Sequence, residues 1–254
     1  MFASSEFAYP NKIDFFGTTL FHLCDFTLRD LDNYLSYDLY SEENLKASDN
    51  EVGLALTRAL EASGEKYNED IYGYYASDFN TFQNIYTLIH RKTMLIALYN
   101  FSECQIETLC REVNKLQLQN IIDDKWPGSD VLKSFRKLLT HHIGFDFGRL
   151  DKNWQYLQVV KLIRNVLSHS EGEIDKRKTK ISKKINDFCK KNKNIRIFNN
   201  NLIIEQGFIR ELVTELIALF SALDHEIKAY IRRYEAENGC FDVPLPSGAS
   251  RTPL

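Results

Sequence analysis

The chain of 254 residues has no long apolar segment and few residues that break helices. It contains only five prolines, three of which fall after residue 237. The longest uncharged apolar stretch, around residues 94–101, is far too short to cross a bilayer. The N-terminus lacks the charged and apolar regions of a secretion signal. We therefore predict a cytoplasmic protein that makes no membrane contact.

Metal-binding and phosphate-binding motifs are also missing. The chain has no HExxH, no CxxC and no glycine-rich phosphate loop. Its five cysteines show no close pair, so they predict neither a disulfide framework nor a zinc site and fit a reducing compartment: Cys24, Cys104, Cys110, Cys189 and Cys240. We predict no metal and no cofactor.

Other residues that could carry chemistry have simpler interpretations. Asp30 and Asp32 form a DxD, but the Gly-Ser motif that precedes it in nucleotidyltransferases is absent. The adjacent histidines 141–142 lie in a polar loop, where solvated side chains are expected. Three further histidines lie in apolar helical patterns, which favour a histidine satisfied by its neighbours: His22, His90 and His225.

What the chain does have is helical periodicity. Apolar residues recur every three or four positions, which predicts an all-α fold. One small β-hairpin is expected over residues 195–204, around an Asn-rich turn. The predicted helices cover residues 14–36, 52–60, 78–118, 131–139, from a cap at Asp151 to about 170, and 208–234. The Tyr-rich stretch 67–75 contains Gly73 and is interpreted as a turn or a helix start.

Charge divides the chain into two parts of opposite character. Residues 1–79 hold 15 acidic and 5 basic side chains, whereas the remainder holds 20 and 27. We predict an acidic helical region over residues 1–79 that packs on a helical domain over residues 80–237. Residues 238–254, which have no periodicity, are predicted to form a mobile tail.

The most informative stretch is 162–169, at the end of an apolar helix. Arg164 offers a planar fork of donors suited to phosphate, His169 can exchange a proton near neutral pH, and Asn165 can orient either group. At about 100° per residue, Asn165 and His169 share a helix face, whereas Arg164 lies about 140° from His169. Arg164 must therefore reach around the helix, or the helix must fray near Gly172.

This arrangement resembles the HEPN superfamily of helical domains, whose signature is Arg, four to six residues, His. Arg164 and His169 have four residues between them, and Asn165 stands where the family favours Asn. The resemblance covers about residues 80–235. Glu103, midway along an apolar helix, resembles the extra polar residue that HEPN domains place near their active site; an exposed glutamate without a role in the site is the alternative interpretation.

The resemblance implies a HEPN-like bundle that acts as a metal-independent endoribonuclease. The 2′-hydroxyl of RNA would attack the adjacent phosphate while His169 moves protons and Arg164 stabilises the developing charge, leaving a 2′,3′-cyclic phosphate. HEPN ribonucleases pair two motifs, which implies a homodimer through the motif helix. At the family level the resemblance implies a toxin or a phage-defence effector with an antitoxin or regulatory partner.

A basic segment follows the motif and would attract RNA as a polyanion. A solvated helix face is the alternative interpretation. The RNA-binding residues that we predict are Lys176, Arg177, Lys178, Lys180, Lys183 and Lys184.

A second interpretation of the whole chain needs no catalysis. Some HEPN-like domains act as scaffolds for dimerisation or for binding nucleotides or RNA. In that case Arg164 would form a salt bridge, for instance with Glu103, and His169 would cap a helix C-terminus.

Overall fold

Helices account for nearly all of the regular structure in the computed structural model, which describes residues 12–63, 67–116, 130–175, 177 and 179–241. The predicted all-α fold, with one small hairpin before the last helix, is confirmed. In chain order the elements are α1 (Thr19–Ala62), α2 (Asn68–Asn80), α3 (Thr87–Leu116), α4 (Val131–Lys137), α5 (Asp151–Ser170), α6 (Thr179–Lys191), β1 (Ile195–Phe198), β2 (Asn201–Ile204) and α7 (Phe208–Asn238).

The first helix is longer than its apolar pattern predicts. The two helices expected over residues 14–36 and 52–60 are one continuous helix, α1. Residues 39–51 are exposed or half-buried and contain neither proline nor glycine, so the backbone hydrogen bonds continue although the apolar stripe ends. The prediction failed because it relied on burial periodicity, which a solvated helix does not need.

The Tyr-rich stretch is also helical, as the helix α2, and Gly73 lies inside it. A π-helical segment, Thr81–Tyr86, joins α2 to α3. The boundary drawn between residues 79 and 80 thus lies within a continuous helical run. None of the described residues between 39 and 93 is buried, so α2 and the outer part of α1 extend away from the core as a helical pair.

The core is built around α5 and α7. In α5 the side chains at intervals of three and four residues are buried: Trp154, Leu157, Val160, Ile163 and Leu167. Helix α7 packs on α1, α3 and α5, and α6 packs on α5. Asp130 caps α4 by accepting from the backbone N–H of Lys133. Asp151 is not a cap, because α5 begins at Asp151 after Leu150.

The hairpin fixes the end of α5. Its turn contains Asn199 and Asn200 at positive φ, which Asn tolerates, and this confirms the predicted Asn-rich turn. The segment that follows α5 pairs with the hairpin, since Gly172 accepts a backbone hydrogen bond from Leu202 and Ile174 donates one to Asn200, both at 2.9 Å. No described helix is both long and apolar enough to cross a membrane. The predicted tail beyond Phe241 lies outside the described residues.

Candidate functional site

The last turn of α5 carries His169 within regular helix. The helix ends at Ser170, and Glu171 then adopts a left-handed conformation with φ of 52°. The backbone N–H groups of Glu171 and Gly172 both donate to the carbonyl of Val166, which closes the helix end. The helix therefore does not fray before His169, and the angular separation between His169 and Arg164 is kept.

Arg164 turns toward α3. Its Nε and Nη2 donate to Oδ1 of Asn100 at 3.1 and 2.7 Å, and its Nη1 donates to Oδ1 of Asn165 at 2.9 Å. The guanidinium carbon lies 5.1 Å from the ring centre of Tyr99, a cation–π distance. The planar fork of Arg164 is thus held in one orientation by neutral amide oxygens and an aromatic face.

Glu103 lies beside this arginine without a close ion pair. Its nearest carboxylate oxygen is 4.0 Å from Nη2 of Arg164, the outer limit of a salt bridge. The other carboxylate oxygen accepts a 2.8 Å hydrogen bond from the hydroxyl of Tyr99. Burial raises the pKa of Tyr99 above its ordinary value, and the bond to Glu103 raises it further, so the phenol stays protonated and donates. Tyr99, Asn100, Glu103, Arg164 and Asn165 form the polar cluster.

Asn165 and His169 line a separate cavity. This cavity has a volume of about 220 Å³ and lies between the end of α5 and the start of α6. His169 is exposed, and among the described residues its ring has no hydrogen-bond partner. Glu173 and Asp175 bring two carboxylates to the cavity wall, and Arg177 pairs with Asp175 at 3.0 Å.

The structure thus places the three motif residues in a chain of contacts. Arg164 faces the polar cluster, His169 faces the cavity, and Asn165 belongs to both, because Arg164 bonds to its side chain while the same residue lines the cavity. The predicted sharing of one face by Asn165 and His169 is confirmed. The side chain of Arg164 contacts Asn165 but does not line the cavity of His169.

Four of the six predicted RNA-binding residues lie in the part of the chain that the structure describes. Lys180, Lys183 and Lys184 are exposed on α6, and Arg177 is exposed but paired with Asp175. Lys176 and Lys178 lie outside the described residues. The apolar side of α6 packs on the core through Ile185 and Phe188, so its lysines necessarily point to solvent.

A third group of polar residues joins α1 to the start of α3. The ligand atoms of Asp38, Glu42 and His90 all lie within 4.8 Å of one another, a set that could bind a metal ion. Both oxygens of Glu42, however, accept from Arg91 at 2.6 and 2.8 Å, and His90 bonds to Asp38 at 2.9 Å. Arg91 already supplies the positive charge that a cation would bring, so the group is interpreted as a polar link between two helices, and His90 is a boundary histidine as expected.

Sequence reasoning missed Tyr99 and Asn100. A usable signal existed, because Tyr99 and Glu103 are four residues apart and Asn100 and Glu103 are three apart, so all share one face of α3. Only their position opposite α5 shows that this face receives Arg164.

Comparisons with protein-family models, with curated proteins and with solved structures find no match. The similarity to HEPN domains stays a prediction from the motif.

Proposed function

We propose that this chain is a metal-independent endoribonuclease that cleaves RNA by attack of the 2′-hydroxyl on the adjacent phosphate. The observation that carries the proposal is the double role of Asn165, which accepts from Arg164 and lines the cavity of His169. Asn165 thus lies between a positive charge on one side of α5 and a proton-exchanging ring on the other.

The surroundings of His169 and Arg164 suit them to different roles in the reaction. His169 is exposed and therefore accessible to a ribose hydroxyl or a leaving oxygen, as general acid–base catalysis requires. Arg164 would stabilise the charge that develops on the phosphorane oxygens. Its hydrogen bonds within the described residues go to the amide oxygens of Asn100 and Asn165, while the carboxylate of Glu103 lies 4.0 Å away at the outer limit of a salt bridge.

A homodimer completes this proposal. In one chain Arg164 and His169 face different sides of Asn165. A second copy that packs through α5 would bring Arg164 of one chain and His169 of its partner into the same cleft. The family-level expectation of a toxin or phage-defence role, with an antitoxin or regulatory partner, belongs to the same proposal.

The test is RNA cleavage by the purified chain in EDTA, with analysis of the product ends. We expect fragments with 2′,3′-cyclic phosphate and 5′-hydroxyl ends. Arg164→Ala and His169→Ala should each lower the cleavage rate at least about 100-fold, because charge stabilisation and proton transfer are separately required.

Arg210→Ala and His142→Ala are matched controls, since both side chains are exposed and lie outside the site. Circular dichroism checks that all variants fold. Undiminished cleavage by Arg164→Ala or His169→Ala contradicts the catalytic assignment.

The alternative function is a non-catalytic scaffold that binds RNA or nucleotides. One observation favours it: the guanidinium of Arg164 donates three hydrogen bonds to Asn100 of α3 and Asn165 of α5, as in an arginine that ties two helices together. A wild-type chain that cleaves none of a diverse set of RNAs, yet melts at a lower temperature after Arg164→Ala, would support the scaffold.

A further inference from the structure

A groove of about 500 Å³ runs between α5 and α6, next to the cavity that holds His169. Its floor is apolar and consists of the half-buried side chains of Val159, Leu162 and Phe188. The volume lies within the range of about 300–1,000 Å³ that is usual for ligand-binding clefts. An aromatic and aliphatic floor of this kind suits a flat apolar group such as a nucleobase.

The rim of the groove is basic. Lys184 and Lys191 stand one above the other on α6, seven residues apart, and Asp187 is the acidic residue that lines the same groove. Gln158 adds an amide from α5, and Arg136 of α4, which forms an ion pair with Asp151 at 2.8 Å, also lines the groove. Ammonium groups along the edge of an apolar floor match a chain that carries phosphates outside and bases inside.

The groove and the cavity adjoin at Leu162, which lines both. From Gln155, in the wall of the groove, to His169, in the wall of the cavity, α5 rises about 21 Å at about 1.5 Å per residue. A ligand that lies along α5 would therefore enter past Lys191 and arrive at Asn165 and His169.

We propose that this groove binds single-stranded RNA and delivers its backbone to the cavity of His169, an inference that rests on the proposed ribonuclease function. The apolar floor favours single-stranded over double-stranded RNA, because only unpaired bases can stack on Phe188. A duplex buries its bases and presents phosphates and sugar edges. An amphipathic protein helix would also use the apolar floor, and competition by such a peptide is an outcome of the test.

Binding is measured in the His169→Ala variant, so that the RNA stays intact, by fluorescence anisotropy. The probes are an unstructured pyrimidine-rich RNA of about 12 nucleotides and the duplex that it forms with its complement. Lys184→Glu combined with Lys191→Glu should weaken binding of the single strand at least about tenfold at moderate salt.

Lys190→Glu combined with Lys193→Glu makes the same charge change on exposed lysines outside the groove and should weaken binding less than about threefold. Phe188→Leu keeps the floor apolar but removes the ring, and should lower the affinity for the single-stranded RNA about fivefold or more. Thermal melts of all variants separate binding defects from unfolding.

Three results would overturn the inference: equal losses in the two lysine pairs, a duplex that binds as tightly as the single strand, or unchanged binding after Phe188→Leu. Displacement of the RNA by neutral amphipathic peptides alone would instead assign the groove to a protein partner. If the wild type binds through the groove but cleaves no RNA in EDTA, the groove stands and the ribonuclease proposal fails, so the two failures are distinguishable.

Discussion

At the scale of single residues, Asn165 holds the central position in the site. Its oxygen accepts from Arg164, and the same residue lines the cavity of His169. The choice of an amide matters, because a carboxylate at the same place would pair with Arg164 and cancel the charge that the proposed reaction uses.

We therefore expect Asn165→Asp to lower the single-turnover cleavage rate by about 100-fold, while Asn165→Ala lowers it less, because it loosens Arg164 without neutralising it. The measurement is the rate at saturating enzyme on one defined RNA. Asn50→Asp makes the same change on an exposed position of α1 and should have no effect. A cleavage rate in Asn165→Asp equal to that of the wild type would show that Arg164 takes no part.

At the scale of elements, the end of α5 is held from two directions. The hairpin pairs with the segment that follows the helix. From the other side, Nζ of Lys92 in α3 donates to the carbonyl of Glu171 at 2.7 Å. Its positive charge also interacts favourably with the negative end of the dipole of α5. His169 lies two residues before the Lys92 contact at Glu171 and three before the hairpin contact at Gly172, so its position depends on α3 and on the hairpin.

Lys92→Met should free this end of the helix while keeping a long apolar stem. The loss of one charge-assisted hydrogen bond is worth about 1–3 kcal/mol locally, so amide hydrogen exchange at residues 166–170 should accelerate several-fold or more. Lys115→Met, which removes an exposed ion pair from the same helix, is the control. Equal exchange in the two variants would mean that the hairpin alone holds the helix end.

At the scale of the whole molecule, the site is divided between two surfaces of α5. Arg164 contacts α3 through Asn100, and His169 lines the cavity at the start of α6. If two chains pair through α5, as proposed, each cleft would draw Arg164 from one chain and His169 from its partner. Two variants that are each inactive could then restore one another.

We expect an equimolar mixture of Arg164→Ala and His169→Ala, unfolded and refolded together, to regain about a quarter of the wild-type activity. Half of the dimers would be mixed, and each would hold one intact cleft of two. Sedimentation should show a dimer at micromolar concentration. A mixture that stays inactive although mixed dimers form would place both groups of each site in one chain.

Much of the fold could be predicted from the pattern of apolar residues. The spacing of buried side chains in α5 and α7 predicted both helices, and three consecutive asparagines predicted the hairpin turn, because positive φ is a local property. Residues 39–51 of α1 were missed, since a helical segment that buries no residue leaves no apolar stripe to detect.

The sequence by itself determined which chemical groups lie at the end of α5 and that Asn165 and His169 share a face, because helical geometry depends only on spacing. The tertiary structure alone decided that α3 presents Asn100 to Arg164 and that α6 closes a groove beside His169. Those contacts join residues far apart in the chain, and their partners are selected by the packing of whole helices rather than by any local pattern.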